Sequence, residues 1–311
     1  MTLRQKPTWY ILGPGAIGSL WAGYFRLSGF PVVLISRSER HSNTISLDDR
    51  TDQHLVDVEH ITLGNLAKSK QQVHNLLVTT KAQYTVQTLQ QMKHCIADNA
   101  LLLVVQNGLA AKDIPLLLPR AQLIVGITTD GAYRTDNDSV VHAGKGVTTI
   151  GSYQKSAISS SLIEQLPTDF LAIETCENIE MRQWKKLAIN CLINGLTVIF
   201  DCKNGDLLGN PKALETMKSL SIEIEKIYQT LNLGLENLNE LYQQALQTIA
   251  LTADNYSSMY QDIHHNRKTE IDYINGYVVR RAQQIGLSCP ENERILNAVK
   301  QREQSVNERS C

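Results

Sequence analysis

The feature that most constrains the fold of this chain is a glycine-rich turn near its start, Gly13-Pro14-Gly15-Ala16-Ile17-Gly18. The turn follows an apolar run at residues 9–12 and opens an amphipathic pattern at residues 16–27. A G-x-G-x-x-G turn between a strand and a helix is typical of a dinucleotide-binding site. Gly13 permits the tight turn, Gly15 lets the backbone approach a pyrophosphate, and Gly18 lets the helix pack against the strand. An ordinary glycine-rich turn is the alternative.

Up to about residue 175, short apolar runs alternate with helical patterns, and this order predicts βαβ units and a parallel sheet. The apolar runs fall at residues 9–12, 32–35, 76–79, 101–105 and 123–127. Two further runs, at residues 140–142 and 147–150, predict an added hairpin. The polar residues 48–54 predict a loop.

Beyond about residue 176 the strand signals nearly vanish, and long helical patterns dominate the chain. They cover residues 179–199, 212–231, 238–253, 270–285 and 292–302. At roughly 150 residues per domain, the 311 residues accommodate two domains. We therefore expect a Rossmann-type α/β domain over residues 1–177, followed by an all-α domain over residues 178–311.

The composition excludes several classes of function. The balance of 30 Lys and Arg against 31 Asp and Glu residues excludes a globally basic nucleic-acid binder. No apolar run approaches the ~18 residues of a membrane span, and residues 1–6 lack the apolar stretch of a secretory signal. The six cysteines form no C-x-x-C pair, which favours reduced thiols. We expect a cytoplasmic, soluble protein that holds no metal and binds neither nucleic acid nor membrane.

The residues after the second apolar run distinguish between two nicotinamide cofactors. An NAD site places an Asp or Glu there, whereas Arg37 between Ser36 and Ser38 suits the 2′-phosphate of NADP. A solvated surface arginine is the alternative, and the nearby Glu39 argues against NADP. The pattern favours NADP(H) as the cofactor.

Polar residues also follow the next two apolar runs. Lys81 comes after Thr79-Thr80, and Asn107 lies within Gln106-Asn107-Gly108. Because ligands in open α/β sheets bind beyond the carboxyl ends of strands, both residues are candidates for contact with cofactor or substrate. Asn-Gly is also an ordinary turn dipeptide, so a purely structural role for Asn107 stays open.

A polar stripe crosses an otherwise apolar helical pattern in the second half. Lys186, Asn190 and Asn194 are spaced at i, i+4 and i+8, which places them on one helix face. Buried polar groups left without hydrogen bonds cost about 1–3 kcal/mol each. Either another helix satisfies these side chains or a polar ligand does.

Two later residues are weaker candidates on sequence alone. Ser258 could be a packed hydroxyl, and Glu270 could be a first-turn acid, because Thr269 and Asp272 resemble a capping box.

Taken in order, these stretches resemble the ketopantoate reductase (2-dehydropantoate 2-reductase) family over nearly the whole chain. The resemblance is carried by the glycine turn, Lys81-Ala82, Gln106-Asn107-Gly108, residues 184–191 with Asn194, Asn204-Gly205, residues 257–262 and residues 269–276. It implies NADPH-dependent reduction of ketopantoate to (R)-pantoate in pantothenate and coenzyme A biosynthesis, with hydride transferred to the C2 ketone. It also implies that the helical domain is 6-phosphogluconate dehydrogenase C-terminal-like.

The resemblance assigns a role to each matching position. Lys186 becomes the catalytic lysine and proton donor, and Glu270 becomes the acid that assists it. The implied substrate contacts are Asn107, Lys186, Asn190, Asn194, Asn204, Ser258 and Glu270. The implied cofactor contacts are Gly13, Pro14, Gly15, Ala16, Ile17, Gly18, Arg37, Lys81 and Asn107. Gly195 departs from the family, because many members carry proline there, and this leaves the course of the helix past Asn194 open.

Two other functions stay open at this point. A related two-domain NADP-dependent dehydrogenase acting on another 2-keto or 3-hydroxy acid would share the glycine turn and a helix-borne lysine. A non-catalytic NADP-binding regulator would keep the glycine turn and Arg37, but has no need of a lysine–glutamate pair. The expected partner is the small-molecule substrate, and the expected oligomeric state is a monomer or a homodimer.

Overall fold

The structure, a computed structural model, describes residues 6–39, 42–107, 113–135, 139–233 and 240–309. The chain divides into two compact units, Met1–Glu180 (unit 1) and Met181–Cys311 (unit 2). Unit 1 contains a mostly parallel sheet and unit 2 is helical in its described part, so the predicted fold class is confirmed. Gly108, and the first two residues of the predicted helix at 238–253, lie outside the described residues.

The strands and helices of unit 1 alternate along the chain. The strands are β1 (Trp9–Leu12), β2 (Val32–Ser36), β3 (Thr44–Asp48), β4 (Gln53–Asp57), β5 (Glu59–Thr62), β6 (Val73–Val78), β7 (Ile96–Val105), β8 (Gln122–Thr128), β9 (Gly131–Arg134), β10 (Val140–Gly144), β11 (Val147–Ser152) and β12 (Ala172–Thr175). The helices are α1 (Ala16–Leu27), α2 (Leu63–Lys68), α3 (Ala82–Gln91), α4 (Ile114–Leu117) and α5 (Ser160–Ile163).

Eight strands form the larger sheet in the order β12-β11-β8-β7-β6-β1-β2-β5. From β8 to β5 every neighbouring pair is parallel, whereas β11 runs antiparallel to β8. Residues 32–35, 76–78 and 100–105 are buried, as expected for apolar strands covered on both faces. The carboxyl ends of β1, β2, β6 and β7 therefore meet at one edge of the sheet.

The smaller sheet has four strands in the order β4-β3-β10-β9. The loop predicted at residues 48–54 is shorter in the structure: residues 49–52 form a turn, whereas Asp48 ends β3 and residues 53–54 begin β4. In the turn, the Asp49 carboxylate accepts hydrogen bonds from the N–H groups of Thr51 and Asp52 at 2.9 and 2.8 Å. Residues 48–54 therefore belong to a β-hairpin, and its polar turn between two half-exposed strands gave no clear strand signal in the sequence.

The hairpin predicted from the runs at 140–142 and 147–150 is wrong. β10 pairs with β9 and β3 in the smaller sheet, whereas β11 pairs with β8 and β12 in the larger one. The segment between them crosses from one sheet to the other. Gly146 donates its N–H to Asp130 Oδ1 at 2.8 Å, and Thr129 donates its N–H to Val147 O at 3.0 Å. These bonds direct β11 onto β8 instead of back onto β10.

A buried chain of hydrogen bonds joins α1 to this crossover. The Tyr24 hydroxyl lies 2.8 Å from His142 Nδ1, and His142 Nε2 lies 2.9 Å from Asp130 Oδ1. Burial raises the pKa of Asp130, but hydrogen bonds from His142, Gly146 and Thr128 outweigh burial, and the pKa is lowered. Helix α1 also contacts strands of both sheets, so this polar chain helps to fix the smaller sheet to the Rossmann-type core.

Unit 2 is built from six helices in its described part. They are α6 (Ile179–Phe200), whose first two residues belong to unit 1, α7 (Pro211–Thr230), α8 (Glu240–Leu251), α9 (Ser258–His264), α10 (Asn275–Gln284) and α11 (Pro290–Arg309). The helix predicted at 270–285 is a short 3₁₀ turn at Ile271–Tyr273 followed by α10, with a break at Ile274. No helix among the described residues is long and apolar enough to span a membrane.

Helix α6 runs without a break through Asn194 and Gly195 to Phe200. All its residues from 191 to 198 are buried. A Cβ at Gly195 would lie 2.4 Å from Ile295 Cγ2, so the absence of a side chain lets α11 approach. The position where many family members carry proline is thus a helical close-packing position in this chain, and Asn194 keeps its place on the polar stripe.

Candidate active site

The glycine turn after β1 has the backbone that its sequence requires. Gly13 has a φ of +103°, and a Cβ there would lie 2.8 Å from Thr80 N. A Cβ at Gly18 would lie only 2.1 Å from the Gly13 carbonyl oxygen, which no side chain could tolerate. At Gly15, by contrast, a Cβ would meet no atom within 4 Å. The backbone of Gly15, at the start of α1, is therefore open to a ligand.

Neighbouring side chains hold this turn in place. The Thr79 hydroxyl, at the end of β6, donates a hydrogen bond to the Gly13 carbonyl oxygen at 2.8 Å. Arg134 Nη1 of β9 donates to the Pro14 carbonyl oxygen at 2.8 Å. Sequence reasoning did not single out Arg134, because the residue belongs to a strand far along the chain. The turn is thus fixed by both sheets of unit 1.

A cavity of about 370 Å³ opens beside the turn. It is lined by Leu12, Gly13, Pro14, Gly15, Ile35, Ser36, Arg37, Ser38, Leu63, Thr79, Thr80, Lys81, Tyr84 and Thr88. The structure therefore brings two predicted cations, Arg37 and Lys81, to the glycine turn. Ala16, Ile17 and Gly18 do not line the cavity, and Glu39, the residue that argued against NADP, is absent from its lining and exposed.

Asn107 follows β7 at the same edge of the sheet, but it does not line this cavity. Its neighbour Gln106 has a structural role. Gln106 Nε2 donates hydrogen bonds to the Thr80 carbonyl oxygen and to Thr85 Oγ1, both at 2.5 Å. The side chain of Gln106 thereby ties the end of β7 to the segment that carries Lys81.

The cavity fits a phosphorylated dinucleotide in shape and charge. The open backbone at Gly15 suits a pyrophosphate, because N–H groups at a helix N-terminus bind phosphate oxygens. Arg37 is a guanidinium at the end of β2, where the fold places the adenosine ribose. Tyr84, which sequence reasoning missed, lines the cavity with its ring centroid 4.4 Å from Arg37 Cζ. Its spacing of three residues from Lys81 was the available signal.

In unit 2, the polar stripe of α6 begins at Lys186, which is partly buried. Burial lowers the pKa of Lys186 to about 8, while the negative charge of Glu270 acts in the opposite direction. The structure thus places the predicted lysine within electrostatic reach of the predicted acid. Glu270 directly precedes the 3₁₀ turn at Ile271–Tyr273. The Thr269 hydroxyl accepts a hydrogen bond from Ile271 N at 3.2 Å, and the Thr269 N–H donates to Glu303 Oε1 at 2.6 Å.

The next two residues of the stripe carry the most informative observation in this unit. Asn194 is 7% exposed and Asn190 is partly buried. Their side-chain amides form no hydrogen bond with any residue that the structure describes. The sequence left open whether another helix or a polar ligand forms hydrogen bonds with the side chains of this stripe. The described helices form none with the side-chain amides of Asn190 and Asn194.

Asn204 and Ser258 lie on neighbouring segments of unit 2. Asn204 donates its backbone N–H to Asn255 O at 3.0 Å and its amide to Thr252 Oγ1 at 2.9 Å. Its buried Oδ1 has no hydrogen-bond partner in the described part of the chain, so Asn204 retains an acceptor. Ser258 is exposed at the first position of α9, whereas the preceding Ser257 caps that helix.

Metal-ligating side chains come together at one place in the described part of the chain. Asp49, Asp52 and His54 lie close together at the β3–β4 turn. The Asp49 carboxylate already accepts from turn N–H groups and lies 3.3 Å from Lys145 Nζ. Because the geometry of the turn accounts for this cluster, we assign no metal to it.

Two family descriptions match the chain along most of its length. The family "Ketopantoate reductase PanE/ApbA" matches residues 9–155, and "Ketopantoate reductase PanE/ApbA C terminal" matches residues 178–303. The chain belongs to the ketopantoate reductase family. The resemblance seen in the sequence motifs is thereby confirmed.

Individual proteins agree with this assignment. The 2-dehydropantoate 2-reductase of Vibrio cholerae is 33% identical to this ketopantoate reductase family member over 302 residues, covering 95% of this chain and 97% of that protein. A PanE/ApbA family ketopantoate reductase from Ralstonia eutropha superposes with a TM-score of 0.85 at 22% identity, over 96% of this chain and 99% of that one. A D-mandelate dehydrogenase solved with NADH and anilino(oxo)acetate gives a TM-score of 0.87 at 24% identity, with the same coverage. The two structures support the fold.

Proposed function

We propose that this protein reduces 2-dehydropantoate to (R)-pantoate with NADPH, in the biosynthesis of pantothenate and coenzyme A. The observation that carries the proposal is the α6 stripe. A partly buried lysine, with its pKa lowered to about 8 and a glutamate nearby, precedes two asparagine amides that form no hydrogen bond with described residues. A cation and unsatisfied amides on one helix face suit a small polar anion such as a 2-keto acid.

Reduction of the ketone needs a hydride and a proton. NADPH, when bound, supplies the hydride to the C2 carbonyl carbon, and negative charge then develops on the carbonyl oxygen. The Lys186 ammonium stabilises that charge and gives a proton to the oxygen, which leaves a hydroxyl group and a neutral amine. A pKa of about 8 keeps most Lys186 side chains protonated at neutral pH and makes the proton easier to release than from an ordinary lysine.

The remaining residues of unit 2 would hold the substrate. Asn190 and Asn194 offer amide donors and acceptors without adding charge, and the exposed hydroxyl of Ser258 can donate to a carboxylate. The buried Oδ1 of Asn204 is an acceptor that suits a substrate hydroxyl. Glu270 would hold Lys186 in its charged form and accept a hydrogen bond from the substrate.

Unit 1 would hold the cofactor. We assign the pyrophosphate to residues 13–18, with the backbone of Gly15 as the closest approach, and the 2′-phosphate to Arg37. Lys81, in the lining of the same cavity, would add a second cation for the phosphates. Asn107, at the end of β7, would contact the ribose or carboxamide and the substrate.

The proposal is tested by measuring NADPH oxidation with a panel of 2-keto acids. The panel contains ketopantoate, pyruvate, 2-oxoisovalerate and benzoylformate, the keto acid that corresponds to mandelate. We expect the highest kcat/KM with ketopantoate, and a lower value when NADH replaces NADPH. A preference for benzoylformate or another keto acid would favour a related dehydrogenase. Cofactor binding without turnover of any substrate would favour a regulator.

Three finer properties belong to the same proposal. We infer a cytoplasmic location and a monomeric or homodimeric state. We also infer that the functional boundary lies between residues 177 and 178, close to the start of α6. Size-exclusion chromatography with light scattering would determine the oligomeric state.

A further inference from the structure

We infer that Tyr84 is a positioning residue of the cofactor site, whose ring holds the Arg37 guanidinium in place for the 2′-phosphate of NADPH and so strengthens the preference for NADPH over NADH. The inference deepens the proposed function and rests on its choice of cofactor. It starts from one contact, because Arg37 Cζ lies 4.4 Å from the centroid of the Tyr84 ring. A guanidinium within about 6 Å of a ring centroid is attracted to the ring face.

The ring of Tyr84 reaches Arg37 because of its position on α3. Tyr84 and Thr88 are four residues apart on α3 and both line the cavity beside the glycine turn, so this face of the helix points toward the end of β2, the strand that Arg37 follows. Lys81, which also lines the cavity, directly precedes α3 with a non-helical ψ of 146°. The helix thus supplies an aromatic surface, and the residue before it supplies a cation, to one cavity.

The backbone around Arg37 is fixed independently. The Ser36 hydroxyl donates a hydrogen bond to the Ser38 carbonyl oxygen, which closes a tight turn around Arg37. The Ser36 hydroxyl also lies 2.7 Å from His60 Nε2. His60 lies on β5, the neighbouring strand. The turn thereby fixes the backbone of Arg37, and the Tyr84 ring holds its guanidinium.

The held guanidinium keeps its hydrogen-bonding capacity. Arg37 is exposed, and it forms no ion pair with any carboxylate that the structure describes. A stacked guanidinium leaves its N–H donors in the plane, where they suit the oxygens of a phosphate. An arginine that is already ordered loses less rotamer entropy when the phosphate binds. The stacking therefore favours a ligand with a 2′-phosphate over one with a 2′-hydroxyl.

The test uses binding of two cofactor fragments, so that turnover is not needed. Dissociation constants of 2′,5′-ADP and 5′-AMP are measured by calorimetry for the wild type, Tyr84→Phe, Tyr84→Leu, Arg37→Gln and the double variant Arg37→Gln/Tyr84→Leu. The quantity of interest is the Kd of 5′-AMP divided by that of 2′,5′-ADP. We expect Tyr84→Phe to retain the wild-type ratio, since the ring remains. We expect Tyr84→Leu to lower the ratio by about 3- to 10-fold.

Two comparisons distinguish a role of Tyr84 in positioning Arg37 from simple packing of Tyr84 against the ligand. If the Tyr84 ring only contacts the adenosine, Tyr84→Leu weakens both fragments equally, the ratio stays unchanged, and the inference is overturned. Arg37→Gln alters only an exposed side chain, so its folding is secure. Because it removes the cation that the ring holds, it should lower the ratio, and adding Tyr84→Leu should lower it no further. An additional loss of the ratio in the double variant would contradict the inference.

The result is distinguishable from failure of the proposed function. A protein that prefers 2′,5′-ADP through Tyr84 but does not reduce ketopantoate would retain this inference and lose the proposed reaction. A protein that reduces ketopantoate but binds both fragments equally would retain the reaction and lose this inference.

Discussion

The charge of Glu270 raises the pKa of Lys186 against the burial that lowers it to about 8. The two residues lie on separate segments of unit 2, one on α6 and the other just before a 3₁₀ turn. Burial makes the lysine a readier proton donor than an exposed one, and the carboxylate keeps it charged at neutral pH. The pair therefore sets the pH range in which Lys186, the proposed proton donor, carries its proton.

Glu270→Gln should move the alkaline limb of the pH profile toward lower pH. The wild-type kcat/KM should fall as pH rises through about 8, because Lys186 loses its proton there. Without the carboxylate only burial acts, so the pKa of Lys186 falls and the variant loses activity at a lower pH. Profiles of kcat/KM for both proteins check this. If the alkaline limb stays at the same pH in Glu270→Gln, the charge of Glu270 does not affect the pKa of Lys186.

Alanine at Gly15 and at Gly18 should give opposite phenotypes although the residues are three positions apart. Gly15→Ala places a methyl group in open space, so it should leave thermal stability unchanged and weaken NADPH binding at least about tenfold by blocking phosphate approach. Gly18→Ala drives a Cβ into the Gly13 carbonyl, so it should destabilise unit 1 by about 1–3 kcal/mol or more. Gly64→Ala, where a Cβ meets nothing within 4 Å, is the control.

The pair is measured by thermal unfolding and by titration of NADPH fluorescence. Equal loss of stability in Gly15→Ala and Gly18→Ala would contradict the distinct roles of the two glycines.

Gly195→Ala should destabilise unit 2 by about 1–3 kcal/mol, because the added methyl group meets Ile295 Cγ2 at 2.4 Å. The double variant Gly195→Ala/Ile295→Ala removes that atom, so its loss of stability should be smaller than the sum of the single losses. Gly209→Ala, with nothing within 4 Å of its Cβ, controls for glycine replacement itself. Additive losses in denaturant unfolding would show that the two residues do not pack together.

Much of the fold could be predicted because its signals are local. The apolar runs at 32–35 and 101–105 became buried strands, and the helical pattern at 16–27 became α1 at the same bounds. These strands and this helix follow from residues close together in the chain. The glycine turn was predictable from its own motif, although the atoms that require glycine at position 13 belong to Thr79 and Thr80, which are distant in sequence.

Strand pairing could not be predicted in the same way. The runs that became β10 and β11 are adjacent in sequence and separated by glycines, which is the pattern of a hairpin. Their actual partners are chosen by distant residues, among them Asp130, which receives the N–H of Gly146. Helix α9 was missed because its seven residues are too few to show a clear period.

The candidate site shows the same division. The spacing of Lys186, Asn190 and Asn194 fixed one helix face in advance, and α6 keeps that face. The contact between Arg37 and Tyr84 joins the end of a strand to a helix nearly 50 residues later. The spacing of Tyr84 from Lys81 is a local signal for Tyr84 itself, but it does not indicate this contact. Ser257 and Ser258 are alike in sequence, and only the structure shows that Ser257 is the helix cap.

The most direct test is the turnover of ketopantoate by Lys186→Ala, with Lys185→Ala as the matched control. Lys185 is the same residue type one position earlier, about 100° away around the helix. Lys186→Ala should lower kcat by about 10²–10⁴-fold, as expected for loss of a general acid, while the Kd of NADPH stays within about twofold of wild type, since Lys186 is assigned no contact with the cofactor. Lys185→Ala should remain active. Near wild-type turnover by a folded Lys186→Ala protein would show that Lys186 is not the proton donor.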